Sequence, residues 1–262
     1  MILVLLLGAL VGAVLGLTGA GGGILAVPAL VAGLGWTVQQ AAPVALIAVA
    51  AGAATGAVEG FRQGLVRYRA GLLMAALGVP LTGVGAWLAH RIPTDWLTGL
   101  FGITMLIVAF RGLHRASQAP EDSRLLPRCS VNPATGRLVW TPASVAVVGG
   151  IGMVTGLLTG LLGVGGGFVI VPALRRFTSL SMHAIVATSL FVIALTGCGG
   201  VLTALWHGAI LPPAVTWPFL GAVVSGMIAG RLLAQHLPGA QIQRGFALLV
   251  LLIGLSMIAK AL

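Results

Sequence analysis

The sequence feature that most constrains this chain is a glycine cluster followed by a proline, which occurs twice inside apolar segments. Residues 16–30 read GLTGAGGGILAVPAL, and residues 160–174 read GLLGVGGGFVIVPAL. Glycine weakens a helix and proline interrupts one, so each copy predicts a break in an apolar helical segment. Because the break occurs twice at matching places, we interpret it as a required part of the fold.

The sequence around these clusters is too apolar for a water-soluble domain. Of its 262 residues, 58% are hydrophobic and only 7% are charged, whereas a soluble domain carries about 25% charged residues. The apolar runs are continuous rather than alternating, which favours helices over an outer-membrane barrel. We predict an all-α integral membrane protein that crosses the cell (inner) membrane several times, with the lipid bilayer as its surroundings.

The remaining composition argues against several other classes of protein. The net charge of +10 does not indicate nucleic-acid binding, because the arginines lie between apolar runs as the positive-inside rule expects. Cys129 and Cys198 lack metal-ligand spacing, and the glycine clusters lack the context of a phosphate loop or a dinucleotide fingerprint. With four acidic residues and no catalytic constellation, we expect no enzyme, no cofactor and no metal.

The two glycine clusters belong to a tandem duplication of the whole chain. They match at an offset of 144 residues, from Gly16 to Gly160, and GAWLAHRIP at 85–93 matches GRLLAQHLP at 230–238 at an offset of 145. A polar stretch separates the two copies. The predicted parts are an N-terminal transmembrane repeat (1–110), a cytoplasmic connector (111–142) and a C-terminal transmembrane repeat (143–262).

Each repeat contains five apolar elements, and the last three reach the roughly 20 residues that a spanning helix needs. The first two elements of each repeat are shorter and meet at the glycine cluster. The ten elements are 2–17, 22–34, 41–59, 70–89, 96–110, 143–161, 166–174, 184–205, 214–235 and 242–259.

The two short elements of a repeat form either one broken helix or a helical hairpin, which is re-entrant or fully spanning. A broken helix makes the repeats parallel, whereas a hairpin inverts the second repeat. Positive residues favour the cytoplasmic side, and the hairpin places Arg175, Arg176 and Arg244 on the side of the connector. We therefore predict two inverted repeats, each a broken helical hairpin plus three transmembrane helices, with the connector cytoplasmic and both termini outside.

A helix that starts after such a break presents unpaired N–H groups and a positive dipole end, which favour an anion. Inverted-repeat transporters bind substrates at breaks of this kind near the membrane midplane. The alternative is tight helix packing on small residues, which is the better interpretation of Gly12, Gly52 and Gly56. The predicted substrate-binding residues are Thr18, Gly21, Gly22, Gly23, Gly165, Gly166, Gly167, Thr188 and Ser189.

The paired motifs, G-x-x-G-x-G-G-G followed by V-P-A-L, resemble those of the sulfite exporter family of TauE/SafE type. The second copy adds the segment Ala187-Thr188-Ser189-Leu190, which looks like an A-T-S-L segment of that family, and then His207-Gly208. The resemblance implies transport of a small organosulfur or sulfur oxyanion, such as sulfite or a sulfonate, usually outward. The first copy has Pro43-Val44-Ala45-Leu46 instead, which implies an asymmetric site.

Two further polar residues are candidates for gating or proton coupling. His207 could gate or shuttle a proton, or it could be an interfacial histidine. Glu59 could couple transport to protons, or it could form an ion pair on the helix face with Arg62, three residues later.

The residues thus predict a transporter that moves a small anion by alternating access, and the resemblance implies that this anion contains sulfur and is exported. A passive anion channel is the alternative, because it shares all of these features. The particular anion, the direction of transport, the coupling ion and the existence of a homodimer are left open by the sequence.

Overall fold

Helices make up nearly all of the described structure. The computed structural model describes residues 1–19, 21–117, 139–234, 236 and 239–261. In these ranges the chain forms ten α-helices, with a 3-10 turn at Gly22–Leu25 before the second. They are α1 (Ile2–Thr18), α2 (Ala26–Leu34), α3 (Val38–Arg62), α4 (Tyr68–Ala89), α5 (Thr94–Ser117), α6 (Pro142–Leu162), α7 (Gly167–Phe177), α8 (Met182–Trp206), α9 (Pro213–Ala234) and α10 (Gly239–Ala261).

Seven of these helices, α3, α4, α5, α6, α8, α9 and α10, are long and apolar enough to cross a membrane. This confirms the prediction of a multi-pass helical membrane protein. The ten predicted apolar elements all appear as helices, with ends that differ by a few residues from the predicted ones. The predicted connector begins inside α5, which continues to Ser117, and residues 118–138 lie outside the described part of the chain.

Local capping explains where the long helices begin. Thr37 starts α3 with a reciprocal pair of hydrogen bonds to Gln40. Thr141 and Ser144 form the same arrangement at the start of α6. Each pair satisfies N–H groups that have no intrahelical acceptor.

The short helices α2 and α7 follow the glycine clusters of the two repeats. At 1.5 Å per residue they are roughly 14–17 Å long, about half of a 30 Å hydrocarbon core. Gly22 lies against Leu15, and Gly33 lies against Leu7, so the chain after the first cluster runs back along α1. The first two elements of the N-terminal repeat are therefore a hairpin of two helices.

Helices of one repeat pack mainly on helices of the other, and α1 packs on α9 as α6 packs on α4. Gly8 lies against Ala222, and Gly16, farther along α1, lies against Gly230, farther along α9. The helices α1 and α9 therefore run parallel. Small residues at such contacts let the two backbones approach closely.

The corresponding pair, α4 and α6, is also parallel. Gly78 lies against Gly152, and Gly85 lies against Gly160. In both pairs the glycines of one helix face the backbone of the other. The two pairs are therefore built alike. In one pair α1 of the first repeat packs on α9 of the second, and in the other α6 of the second repeat packs on α4 of the first.

The centre of the bundle is formed by α3 and α8, which run antiparallel. Gly60 lies against Ala187, and Ala50 lies against Gly197. The helices α5 and α10 also pack on each other and are antiparallel, since Gly102 contacts Ile258 while Gly112 contacts Ala247.

One end of the bundle is marked by exposed tryptophans. Trp206 ends α8, Trp96 lies at the start of α5, and Trp217 lies in the first turns of α9; their exposed fractions are 90%, 76% and 65%. The amphipathic indole ring favours the interface between lipid and water. This end of the bundle is therefore expected to lie at one membrane surface.

The packing of α6 on α4 predicts a large difference between two glycines of the same helix. A methyl group on Gly156 would collide with the backbone of Gly78, whereas a methyl group on Gly150 meets none of the described residues within 4 Å. We expect Gly156→Ala to lower the free energy of unfolding by about 1–3 kcal/mol. Gly150→Ala should be neutral or stabilising, since alanine favours a helix by about 1 kcal/mol over glycine.

Thermal unfolding of the purified protein in detergent measures both variants under the same conditions. Equal shifts in Tm for the two substitutions would contradict the close approach of α4 and α6.

Candidate functional site: the junction of two helix breaks

The two glycine clusters meet in the interior of the bundle. A Cβ on Gly23 would lie 2.9 Å from the carbonyl oxygen of Val164 and 3.0 Å from Val49 of α3. A Cβ on Gly165 would lie 3.0 Å from Ile193 of α8 and 3.4 Å from Val49. The two breaks therefore converge, while substrate binding there stays a prediction.

The junction is closed to the surroundings of the protein. All five residues of the second break are buried: Gly163, Val164, Gly165, Gly166 and Gly167. In the first break Gly22 and Gly23 are buried and Gly21 is half-buried. Interrupted backbone at membrane depth is tolerated only in protein or beside a water-filled cavity, and this arrangement meets that requirement.

Left-handed backbone conformations produce the second break. Gly163 ends α6 with φ of 71°, and Gly165 and Gly166 follow with φ of 74° and 67°. A residue with a Cβ in this region costs about 1–2 kcal/mol, which explains why glycine occupies all three positions. The first turn of α7 starts directly afterwards at Gly167, so N–H groups without an intrahelical acceptor face the junction region.

The hydroxyl of Thr18 fastens the first break. It donates to the carbonyl of Val14 at 2.7 Å and accepts from the N–H of Gly22 at 3.0 Å. Both bonds are local, and they cap backbone groups at the end of α1. A role of Thr18 in binding the substrate stays a prediction.

Thr188 and Ser189 lie inside α8 and not at its start. The helix α8 begins at Met182 with Ser181 as its N-cap, so both hydroxyls lie in its second turn, where they are fully buried. Thr188 Oγ1 accepts from the backbone N–H of Arg67 at 2.9 Å. It therefore joins α8 to Arg67, the residue directly before α4.

Ser189 makes a local bond, donating to the carbonyl of Val186 at 2.8 Å. Val186 itself packs against Gly19 at the end of α1. The segment that contains Thr188 and Ser189 is thus next to the first break. Their predicted contact with substrate is not tested by these bonds.

Two threonines that the sequence interpretation missed lie at the second break. Gly166 packs against Thr155 and Thr159 of α6. Thr159 donates to the carbonyl of Thr155 at 2.8 Å, whereas Thr155 Oγ1 is fully buried and has no hydrogen-bond partner in the described part of the chain. At the offset of 144, these threonines replace Val11 and Leu15 of the first repeat, which is the signal that could have found them.

Glu59 pairs with a different arginine from the one that helical spacing predicts. Glu59 Oε2 lies 2.6 Å from Arg231 Nε of α9, so the sequence interpretation with Arg62 as the partner is wrong. Gln63 donates to Glu59 Oε1 at 2.9 Å, and Arg231 Nη1 donates to the carbonyl of Gly56 at 3.4 Å. Gating or proton coupling by Glu59 stays a prediction.

Arg231 was also missed, although the aligned segments contain it. In the match between 85–93 and 230–238, Arg231 takes the position of Ala86. Its side chain is only 23% exposed. A cation that replaces alanine in one copy is the signal that singles it out.

His207 lies at the exposed end of α8, away from the glycine junction. Its Nδ1 is 2.8 Å from the carbonyl oxygen of Thr203, and its ring stacks on that of His90 at a centroid distance of 6.4 Å. Close to this pair is a small cavity of about 30 Å³. Residues that line the cavity include Ala86, His90, Gly160, Gly200 and Ala204.

The junction predicts unequal effects of two glycine substitutions with the same backbone strain. Gly166 and Gly208 have φ of 67° and 80°, but only Gly166 is surrounded, by Thr155 and Thr159. We expect Gly166→Ala to destabilise the protein by about 1–3 kcal/mol more than Gly208→Ala, because overpacking adds to the strain. Thermal unfolding in detergent compares the two, and equal losses would contradict the packed junction.

The chain is similar to known proteins over nearly its whole length. The profile of the family described as "Sulfite exporter TauE/SafE" matches residues 4–257. No solved structure matches the chain.

Three similar proteins carry the name of a membrane transporter. A "Probable membrane transporter protein" of Xylella fastidiosa (strain Temecula1) is 29% identical over 259 residues, which cover 97% of this chain and 93% of that protein. YunE of Bacillus subtilis is 27% identical over 86% of this chain and 84% of its own length. A Haemophilus influenzae protein is 27% identical over 99% and 98% of the two chains.

Proposed function

The chain belongs to the sulfite exporter TauE/SafE family of membrane transporters, and from this premise we propose that it exports a small sulfur-containing anion by alternating access. Sulfite and short sulfonates are the proposed substrates. The observation that carries the proposal is the buried meeting of the two helix breaks at Gly23 and Val164.

The anion binds where helix starts and hydroxyl donors come together. The start of α7 at Gly167 supplies N–H groups and the positive end of a helix dipole. Thr155, whose methyl group lies against Gly166 and whose buried Oγ1 has no partner among the described residues, supplies a hydroxyl donor beside the junction. An oxyanion between these groups would satisfy the hydroxyl, whose burial without a partner is otherwise unfavourable.

The helix directions support two repeats of inverted topology. The helices α1, α9 and α3 run parallel, because Gly52 and Gly56 of α3 lie against Val223 and Met227 of α9 in the same order. The helices α4, α6 and α8 likewise run parallel, and α3 is antiparallel to α8. The first helix of one repeat thus opposes the first helix of the other.

Matching contacts at the two breaks support the same symmetry. Gly19 at the end of α1 packs against Val186 of α8, and Gly163 at the end of α6 packs against Ala42 of α3. Both pairs are related by the offset of 144. Transport then follows from rocking of the two repeats about the central anion, which opens it to each side in turn.

Replacing Thr155 by valine separates a binding role from a structural one. Valine has the same shape and removes only the hydroxyl, so stability should be unchanged or higher. If the hydroxyl binds the anion, the lost bond to a charged group of about 1.5–3 kcal/mol should weaken anion binding about 10- to 150-fold. Sulfite and ethanesulfonate efflux from proteoliposomes, together with anion-dependent thermal stabilisation, measure the effect.

Thr216→Val is the matched control. Thr216 Oγ1 is also buried, with no partner among the residues that the structure describes, but it lies in the first turn of α9, and its replacement should leave efflux unchanged. Equal efflux in the Thr155→Val variant and the wild type would contradict the proposed binding site. Saturable exchange supports a transporter, whereas ionic current far above carrier turnover without counter-flow would show a passive channel.

A further inference from the structure

The Glu59–Arg231 ion pair lies where three helices of the bundle meet. It joins α3 to α9 beside the end of α1, where Gly16 packs against the backbone of Arg231. Gly56 of α3 also faces the guanidinium and accepts from it. The pair lies at the end of α3 that leads through Arg67 into α4, whose second residue is Arg69, and this end is predicted to be cytoplasmic.

The equivalent place at the opposite end of the bundle is built from smaller residues. The repeat offsets relate Arg231 to Ala86, Gly16 to Gly160, and Gly56 to Gly200. Ala86, Gly160 and Gly200 line the cavity of about 30 Å³ near His90.

The equivalent positions of the two repeats are therefore occupied differently. Where the tryptophan-marked end has a cavity, the other end has a guanidinium bound to a carboxylate. Glu59 itself corresponds to Thr203, and Gln63 corresponds to His207, so the polar side chains around the two places also correspond. Gly16 and Gly160 lie three residues before Gly19 and Gly163, which end α1 and α6 at the two breaks, so each of the two places lies beside one break.

We propose that Arg231 is an anion-binding residue on the cytoplasmic approach to the junction, and that Glu59 holds this residue while the approach is closed. The proposal rests on the function proposed above. An arriving sulfite or sulfonate replaces the Glu59 carboxylate on the guanidinium, because both groups present oxygens that a guanidinium binds by its N–H donors. The Glu59 side chain is 41% exposed, so it can turn to water when displaced.

Anion competition predicts opposite effects for the two members of the pair. Glu59→Gln keeps the shape and removes the competing charge, so the KM for sulfite and ethanesulfonate from the cytoplasmic side should fall. Arg231→Gln removes the anion partner and should raise that KM about tenfold or more, in line with the loss of a charge-assisted hydrogen bond. Arg231→Lys keeps the charge without the planar fork and should give an intermediate KM.

The experiment uses the full chain in proteoliposomes, with sulfite or ethanesulfonate supplied on one side at a time. Arg176→Gln is the control for general electrostatic attraction, because Arg176 is exposed at the end of α7 on the same side. It should change the KM by less than the Arg231 substitution does. Thermal unfolding of each variant in detergent separates loss of binding from loss of folding.

The exchanged pair Glu59→Arg with Arg231→Glu distinguishes binding from bridging. If Arg231 binds the anion, the exchange restores stability but not the cytoplasmic KM. If both single variants lose transport and stability to the same extent and the exchange restores both, the pair is a structural bridge. That result overturns this inference, while the transport function stands. A wild-type protein that neither binds nor moves either anion would overturn the proposed function as well.

Discussion

The need of every backbone N–H and C=O group for a partner inside a membrane governs this structure. A helix broken in hydrocarbon exposes such groups, and the cost is several kcal/mol for each one left unsatisfied. Both breaks lie in one interior junction, with Gly23 against Val164. The Thr18 hydroxyl forms hydrogen bonds with backbone groups on both sides of the first break. The glycines there allow left-handed turns and close approach, so the two breaks can share one enclosed space.

Most of the helical fold was predictable from the sequence because lipid-embedded helices have simple requirements. Length and apolar composition located all ten helices, and the duplicated glycine clusters located the breaks. The direction of α2 followed from the distribution of arginines, and the contact of Gly33 with Leu7 agrees with it. The pairing of helices was not predictable, because α1 packs on α9 through glycines that look like many other glycines of the chain. Only the three-dimensional structure distinguishes Gly156, which touches α4, from Gly150, which touches nothing.

The polar residues of the site were less predictable, because hydrogen bonding in a helical bundle depends on neighbours distant in sequence. Thr188 accepts a hydrogen bond from Arg67, a residue 121 positions away in the sequence. Glu59 has an arginine at helical spacing, yet its partner is Arg231 on another helix. Thr155 and Arg231 differ from the other repeat in polarity, and that asymmetry within a duplicated sequence carried information that a residue-by-residue interpretation overlooked.

The crosswise packing of the two repeats has a consequence for how the protein is made. The glycine-lined face of α1, including Gly8 and Gly16, is built to contact α9, which the ribosome completes only after most of the chain has been synthesised. Until then α1 lies in the bilayer or at the insertion machinery without its contact to α9. A repeat made alone would leave this glycine-lined face without its partner helix from the other repeat. The two repeats therefore complete their folding together, late in synthesis.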